Sequence, residues 1–174
     1  GYQPTYDVEG EIYANYVLDT IKDPKIAILF QNDDYGKDYR DGFLRGLGDK
    51  KDDLVVKMLP YEVTDPTIDA QLLELAASGA NVFFNITIPK FAAQAIKKSC
   101  EIGWKPLHLL NNVSSSVGAT LKPAGLECSK GLITAQYMKD PTDPQWANDA
   151  GYKEWTAFMD KHMPSGDKGD INYA

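Results

Sequence analysis

The sequence predicts an α/β protein, a doubly wound and mostly parallel β-sheet with helices on both faces. Four short, β-rich apolar runs carry the prediction: Lys25 to Phe30, Leu54 to Leu59, Asn81 to Phe84 and Leu107 to Leu110. They begin 29, 27 and 26 residues apart, which leaves room for one helix in each interval, and a helical crossover is what joins parallel neighbours. The intervals themselves carry apolar residues at helical spacing and end in helix-stop residues, so strands and helices alternate.

Ahead of the first run, Val8, Ile12, Tyr13, Tyr16, Val17 and Ile21 form the stripe of an opening amphipathic helix. Asp7, Glu9 and Glu11 suit its positive end. Tyr39, Phe43, Leu44 and Leu47 mark the second helix; Ile68, Leu72, Leu75 and Ala76 the third; Phe91, Ala92, Ala95 and Ile96 the fourth. Ser78-Gly79-Ala80 and Gly103 stop two of them, and Pro89 stands where a first turn tolerates proline. Gly131 to Tyr137 reads as a further short strand. Pro141-Thr142-Asp143-Pro144 is a turn-rich break, and Tyr152, Trp155, Phe158 and Met159 mark a last helix. Asp167 to Asp170 lacks the alternating oxygen ligands and closing Glu of a calcium loop and reads as a connection.

A chain of 174 residues is long enough for one well-buried core and short of two ordinary domains. The net charge of -7 and the lack of a basic cluster exclude phosphate-backbone binding, so no nucleic-acid partner is expected. No apolar run approaches the length of about 20 residues that a bilayer helix needs, so direct membrane insertion is not expected. Gly1 and Asn172-Tyr173-Ala174 read as cut ends. Cys100 and Cys128 fit either one disulfide or two buried thiols, and they show no zinc or redox spacing.

In open α/β sheets ligands sit beyond the carboxyl ends of the strands. Three polar loops occupy those positions: Gln31 to Lys37, Asn85 to Pro89, and Asn111 to Ser116. Their Asn, Ser, Thr and Tyr side chains orient a small molecule without doing chemistry on it. Asn32, Tyr35, Thr87, Asn111, Asn112, Val113 and Ser114 are the candidate ligand-facing residues. The bland alternative makes Asn32, Asp33 and Ser114 to Ser116 helix caps and turns, and Tyr35 a core residue. Nucleophile-elbow, P-loop and dinucleotide motifs are missing, and neither His108 nor His162 belongs to a triad. The expected protein is therefore a binder with no cofactor, no metal and no catalytic residue.

Taken in order, Lys25-Ile26-Ala27-Ile28-Leu29-Phe30-Gln31-Asn32-Asp33-Asp34-Tyr35-Gly36-Lys37, Ser78-Gly79-Ala80-Asn81-Val82-Phe83, Phe91-Ala92-Ala93-Gln94-Ala95-Ile96, Lys122-Pro123-Ala124-Gly125-Leu126-Glu127 and Gly131-Leu132 resemble the leucine/isoleucine/valine-binding protein family. The resemblance implies a type I periplasmic-binding fold, in which two Rossmann-like lobes close over a ligand, and a fragment that is chiefly the second lobe. Residues 1–136 would form that lobe, 137–144 a hinge crossing, and 145–174 the start of a return into the other lobe. The implied role is that of a periplasmic solute-binding component of an ABC importer, with a small molecule and a membrane permease as partners. Tyr35, Thr87 and the Asn111-Asn112-Val113 turn match the family's ligand-facing positions. Amino-acid-binding members carry an acidic residue in that turn, and this sequence has none, so an aromatic or aliphatic acid or an amide stands beside a branched-chain amino acid as substrate. A sensory domain, or an enzyme on the same scaffold, is the alternative.

Overall fold

The computed structural model describes residues 3–166. In chain order it contains α1 (Tyr6–Thr20), β1 (Ile26–Gln31), α2 (Asp34–Leu47), the single turn α3 (Lys51–Leu54), β2 (Val55–Tyr61), α4 (Asp69–Ala77), β3 (Val82–Ile86), α5 (Pro89–Glu101), β4 (Leu107–Leu110), the single turn α6 (Lys122–Ala124), β5 (Ile133–Thr134) and α7 (Ala150–His162). The Asp167 to Asp170 stretch and both chain ends lie outside the described residues. Two compact units result, divided between Ala135 and Gln136.

The first unit is a five-stranded sheet in the order β2-β1-β3-β4-β5, every pairing parallel. One register row, Met58, Ile28, Phe84, Leu109 and Ile133, crosses all five strands. Strands β1 and β3 are buried along their whole length, as expected of parallel strands covered on both faces. Side-chain alternation gives each face its own core. Ile26, Ile28, Phe30, Val82, Phe84 and Leu109 meet residues of α1 and α2, whereas Ala27, Leu29 and Phe83 meet residues of α4 and α5. The fifth strand is shorter than the Gly131 to Tyr137 reading. Its ladder ends at Thr134 because the Ala135 N–H turns away and donates to the Tyr13 hydroxyl at 2.6 Å.

Helix ends follow local chemistry. Asp33 caps α2 by accepting from the Gly36 N–H at 3.0 Å. Pro89 opens α5. Gly79 and Gly103 follow α4 and α5 at φ of +76° and +72°, the left-handed conformation in which a side chain would be strained. Cys100 and Cys128 are joined as a disulfide with Cα atoms 5.5 Å apart, tying the end of α5 to the segment before β5. On loop-closure entropy, a bridge spanning a loop of that length is worth roughly 3–4 kcal/mol.

In the second unit, Asp149 caps α7 by accepting from the Tyr152 N–H at 2.9 Å and also pairs with Lys139. No helix among the described residues is long and apolar enough to cross a membrane.

Helices α1 and α2 touch at backbone level. A Cβ on Gly42 would overlap the Asp7 carbonyl, and one on Gly10 would overlap the Tyr39 carbonyl. Gly42→Ala is expected to destabilise the domain by roughly 2–3 kcal/mol in urea unfolding, overriding the better helix propensity of alanine. Gly118→Ala, which meets nothing nearer than 4.0 Å, should stay within about 0.5 kcal/mol of the parent.

Candidate functional site

The carboxyl ends of all five parallel strands lie along one edge of the sheet, and the strand order reverses direction between β1 and β3. This is the switch point where crossovers leave in opposite directions and open a crevice. The loops after β1, β3 and β4 meet there, and they contain the residues singled out in the sequence.

Three of those residues converge on a single atom of a fourth, the Thr87 carbonyl oxygen. Asn111 Nδ2 donates to it at 2.9 Å, the Ser114 hydroxyl donates to it as well, and the Tyr35 hydroxyl lies at 3.4 Å. The Tyr35 hydroxyl makes its closer bond to Asn111 Oδ1, at 2.9 Å. Asn111 Nδ2 also reaches the Asn85 carbonyl at 3.0 Å, and the Thr87 hydroxyl donates to Asn85 Oδ1 at 2.7 Å. Thr87, Asn111 and Ser114 are fully buried, and Tyr35 is half-buried.

Asn112 is held from another direction. Its N–H donates to Glu9 Oε1 at 2.8 Å and its Nδ2 to the Ala135 carbonyl at 2.9 Å. Val113 is half-buried. Asn32 is exposed and stands apart from the Thr87 cluster, its Nδ2 donating to Glu62 Oε1 at 2.6 Å.

Several residues that build this edge were not singled out in the sequence. Glu9 belongs to the first turn of α1, where an acid usually faces water; here it is 5% exposed. Its second oxygen accepts from the Tyr39 hydroxyl at 2.6 Å. Burial pushes its carboxyl above the usual range, while the bonds from Tyr39 and Asn112 pull it back. Asp7 and Glu11, on the outer side of the same helix, pair with Arg45. One turn beyond Glu9, Tyr13 donates to the Leu110 carbonyl at 2.8 Å. At the β2 end, the Tyr61 hydroxyl donates to Gln31 Oε1 at 2.7 Å and accepts from the Ile88 N–H at 3.1 Å. Gln31 in turn donates to Asp33. The available signals were the i, i+4 spacing of Glu9 and Tyr13 on the buried face of α1, and the position of Tyr61 at the end of an alternating strand.

Tyr13, Tyr35, Tyr39 and Tyr61 all have their ionisation pushed up, in each case chiefly by burial, so they act as neutral donors. The Tyr35 ring is set edge-on against both Tyr6 and Tyr39. Beneath the cluster, on the α5 face, Asn85 Nδ2 lies 3.1 Å from His108 Nε2. Burial pulls the His108 imidazole down to about 3. Among the described residues no group of His, Cys, Asp and Glu is placed to hold a metal. The groups gathered at this sheet switch point are neutral and bonded to one another, with Thr87, Asn111 and Ser114 buried, so the cluster fixes the positions of the three loops around the crevice.

The amino-acid sequence matches the family described as periplasmic binding protein over residues 1–173. The chain belongs to the periplasmic binding protein family. Solved structures with the same fold include a substrate-binding periplasmic protein from Ralstonia solanacearum, at TM-score 0.72 and 23% identity over 90% of this chain and 44% of that one. A fatty acid ABC transporter substrate-binding protein from Thermomonospora curvata matches at 0.68 and 23%, over 92% of this chain and 40% of that one. A possible leucine/isoleucine/valine-binding protein from Rhodopirellula baltica SH 1 matches at 0.70 and 16%, over 97% and 45%. The chain thus spans less than half the length of each of these structures. Among curated proteins no sequence matches it.

Glu9 and His108, both buried, pull stability in opposite directions as pH falls into the acid range. His108 is neutral when folded and takes up a proton when unfolded below pH 6.5, so its contribution is complete above that pH and falls by about 1.4 kcal/mol per unit as pH drops toward 3. Glu9 binds its proton more tightly when folded, so it adds stability at low pH that is lost as pH rises from 4.5 through its raised value. Urea titrations from pH 4 to 7 should therefore show a shallower acid loss for His108→Gln than for the parent, and a steeper one for Glu9→Gln. Glu9→Ala, which leaves the Tyr39 hydroxyl and the Asn112 N–H without their acceptor, should cost roughly 3 kcal/mol at pH 7.

Proposed function

We propose that this chain supplies one lobe, residues 1–136, of a two-lobed extracytoplasmic solute-binding protein that delivers a small organic acid to an ABC permease. Residues 137–144 act as the hinge crossing, and 145–174 begin the return into the other lobe. The observation that carries the reading is the convergence of Tyr35, Asn111 and Ser114 on the Thr87 carbonyl at the β1/β3 switch point. Family membership over residues 1–173 supports it. So do the matched lengths, since one lobe is about half of a two-lobed protein. The disulfide between Cys100 and Cys128 suits an oxidising compartment outside the cytoplasmic membrane.

Electrostatics favours an acid that has no amino group. An ammonium taken out of water needs a charged partner. The carboxylates that bond to residues of this edge are already engaged: Glu9 with Tyr39 and Asn112, Asp33 with Gln31 and Gly36, Glu62 with Asn32. The turn Asn111 to Ser116 contains no carboxylate. Among the structural relatives, one protein is described as a fatty acid ABC transporter substrate-binding protein and another as a possible leucine/isoleucine/valine-binding protein. A carboxylate with an apolar body is common to the ligands so named, and a ligand of that kind without an amino group asks this lobe for no counter-ion to an ammonium.

The discriminating ligand pair is leucine and 4-methylpentanoic acid, which share tail and carboxylate and differ by the amino group. Calorimetric titration of the full-length protein should give the des-amino acid at least about tenfold tighter binding, equivalent to about 1.4 kcal/mol. Saturation at about 100 times the dissociation constant should add about 2.7 kcal/mol of stability in a thermal-shift assay. Tighter binding of leucine would overturn the choice of acid. Equal affinity of the isolated chain and the full-length protein would overturn the two-lobe closure.

A further inference from the structure

The first compact unit ends at Ala135, and the chain is held from two sides where it leaves. Strand β5 just before it is short, with only Ile133 and Thr134 paired to β4. A strand so short at the edge of a sheet is among the first parts of a domain to open. Side chains make up for it. The Tyr13 hydroxyl accepts from the Ala135 N–H at 2.6 Å, and Asn112 Nδ2 donates to the Ala135 carbonyl at 2.9 Å. Both backbone groups of this residue are therefore bonded to side chains, one from α1 and the other from the turn after β4.

The clamping side chains are themselves anchored. Tyr13 is 3% exposed, and its hydroxyl donates at 2.8 Å to the carbonyl of Leu110, the last residue of β4. Asn112 is 1% exposed, and its own N–H donates to Glu9 at 2.8 Å. Glu9 and Tyr13 both belong to the buried face of α1, so a single helix face holds the end of β4, the turn that follows it and the exit of the chain. In a connected set of buried hydrogen bonds, a displacement of one member requires adjustment by the next. Movement of the turn is thus passed to Ala135.

We propose that Tyr13 and Asn112 are positioning residues that clamp Ala135 as the fixed pivot from which the hinge leaves this lobe, and that Asn112 joins the Asn111 to Ser116 turn to that pivot. The proposal rests on the two-lobe reading given above. Tyr13 is nearly fully buried and its hydroxyl is committed within the lobe, so it acts on binding only through the pivot. With the pivot released, the open form samples more directions, and closure over a ligand costs more conformational freedom.

The test compares the full-length parent with Tyr13→Phe, which removes only the hydroxyl. Nitroxide labels on Asp49→Cys, an exposed position of this lobe, and on an exposed position of the other lobe report interlobe distances by double electron–electron resonance. Without ligand, Tyr13→Phe is expected to give a wider distance distribution than the parent. Calorimetry with 4-methylpentanoic acid is expected to show about tenfold weaker binding by the variant. Tyr61→Phe also strips two hydrogen bonds from a buried tyrosine at this edge of the sheet, but none from Ala135, and it is expected to keep the parent's width. If circular dichroism shows Tyr13→Phe unfolded, Asn112→Asp, which takes away the Nδ2 donor, releases the pivot from its other side and should widen the distribution in the same way. The proposal is overturned by a variant distribution as narrow as the parent's, by equal widening in Tyr61→Phe, or by affinity equal to that of a parent that binds. A parent whose distances are unmoved by saturating 4-methylpentanoic acid overturns the two-lobe closure instead, and the ligand-free comparison still decides the pivot.

Discussion

The arrangement of the carboxyl edge of the sheet depends on one buried carboxylate. Glu9 stands on α1, accepts from Tyr39 on α2 and from the backbone of the turn after β4, and so ties together three segments that are far apart in sequence. A carboxylate out of water is costly, and only well-placed donors make it tolerable. Placement is possible because α1 and α2 approach at Gly10 and Gly42 without intervening side chains. Two glycines that allow close approach thus permit a polar contact from Glu9, the residue just before Gly10, and Tyr13 extends the same helix's grip to the Leu110 carbonyl and the Ala135 N–H.

Given that anchor, the strand tips form a preset frame. The Thr87 carbonyl collects donors from the loops after β1 and β4, and the tyrosines that line the edge stay protonated because burial suppresses their ionisation. A frame whose internal hydrogen bonds are already made gives up little conformational freedom when a ligand arrives. Burial holds His108 neutral, and its Nε2 lies within hydrogen-bond distance of the Asn85 amide.

How far the sequence revealed this varies with the type of interaction. Strands β1 and β3 and helices α2, α4 and α5 were legible because hydrophobic period, glycine stops and Pro89 act within a few residues of chain. The convergence of the β3 and β4 tips was legible through the rule that parallel sheets bind ligands at strand ends. Glu9 was read as a first-turn acid favoured by the helix dipole, because its role is set by residues 30 and 103 positions away. The pairing of Cys100 with Cys128 stayed open for the same reason. It requires α5 and the segment before β5 to lie side by side, which no local pattern states. The short β5 also reflects a distant competitor, the Tyr13 hydroxyl, for the Ala135 N–H.

The two faces of the sheet divide the work. Against α1 and α2 the strands present only hydrocarbon and aromatic side chains, Ile28, Phe30, Phe84 and Ile86, whose burial, with that of Ala27, Leu29 and Phe83 on the other face, supplies driving force for folding. Against α5 they present a polar seam, His108, Asn85 and Thr87, running from one end of the strands to the other. Replacing such a seam with apolar residues often costs a fold nothing in stability, so stability alone does not account for it. What a hydrogen-bonded seam provides instead is fixed geometry: each member has a specified partner, and displacement of one requires adjustment by the next. The seam ends on the Thr87 hydroxyl, and the carbonyl of the same residue is where the β1 and β4 loops meet, so its geometry sets that of the carboxyl edge of the sheet.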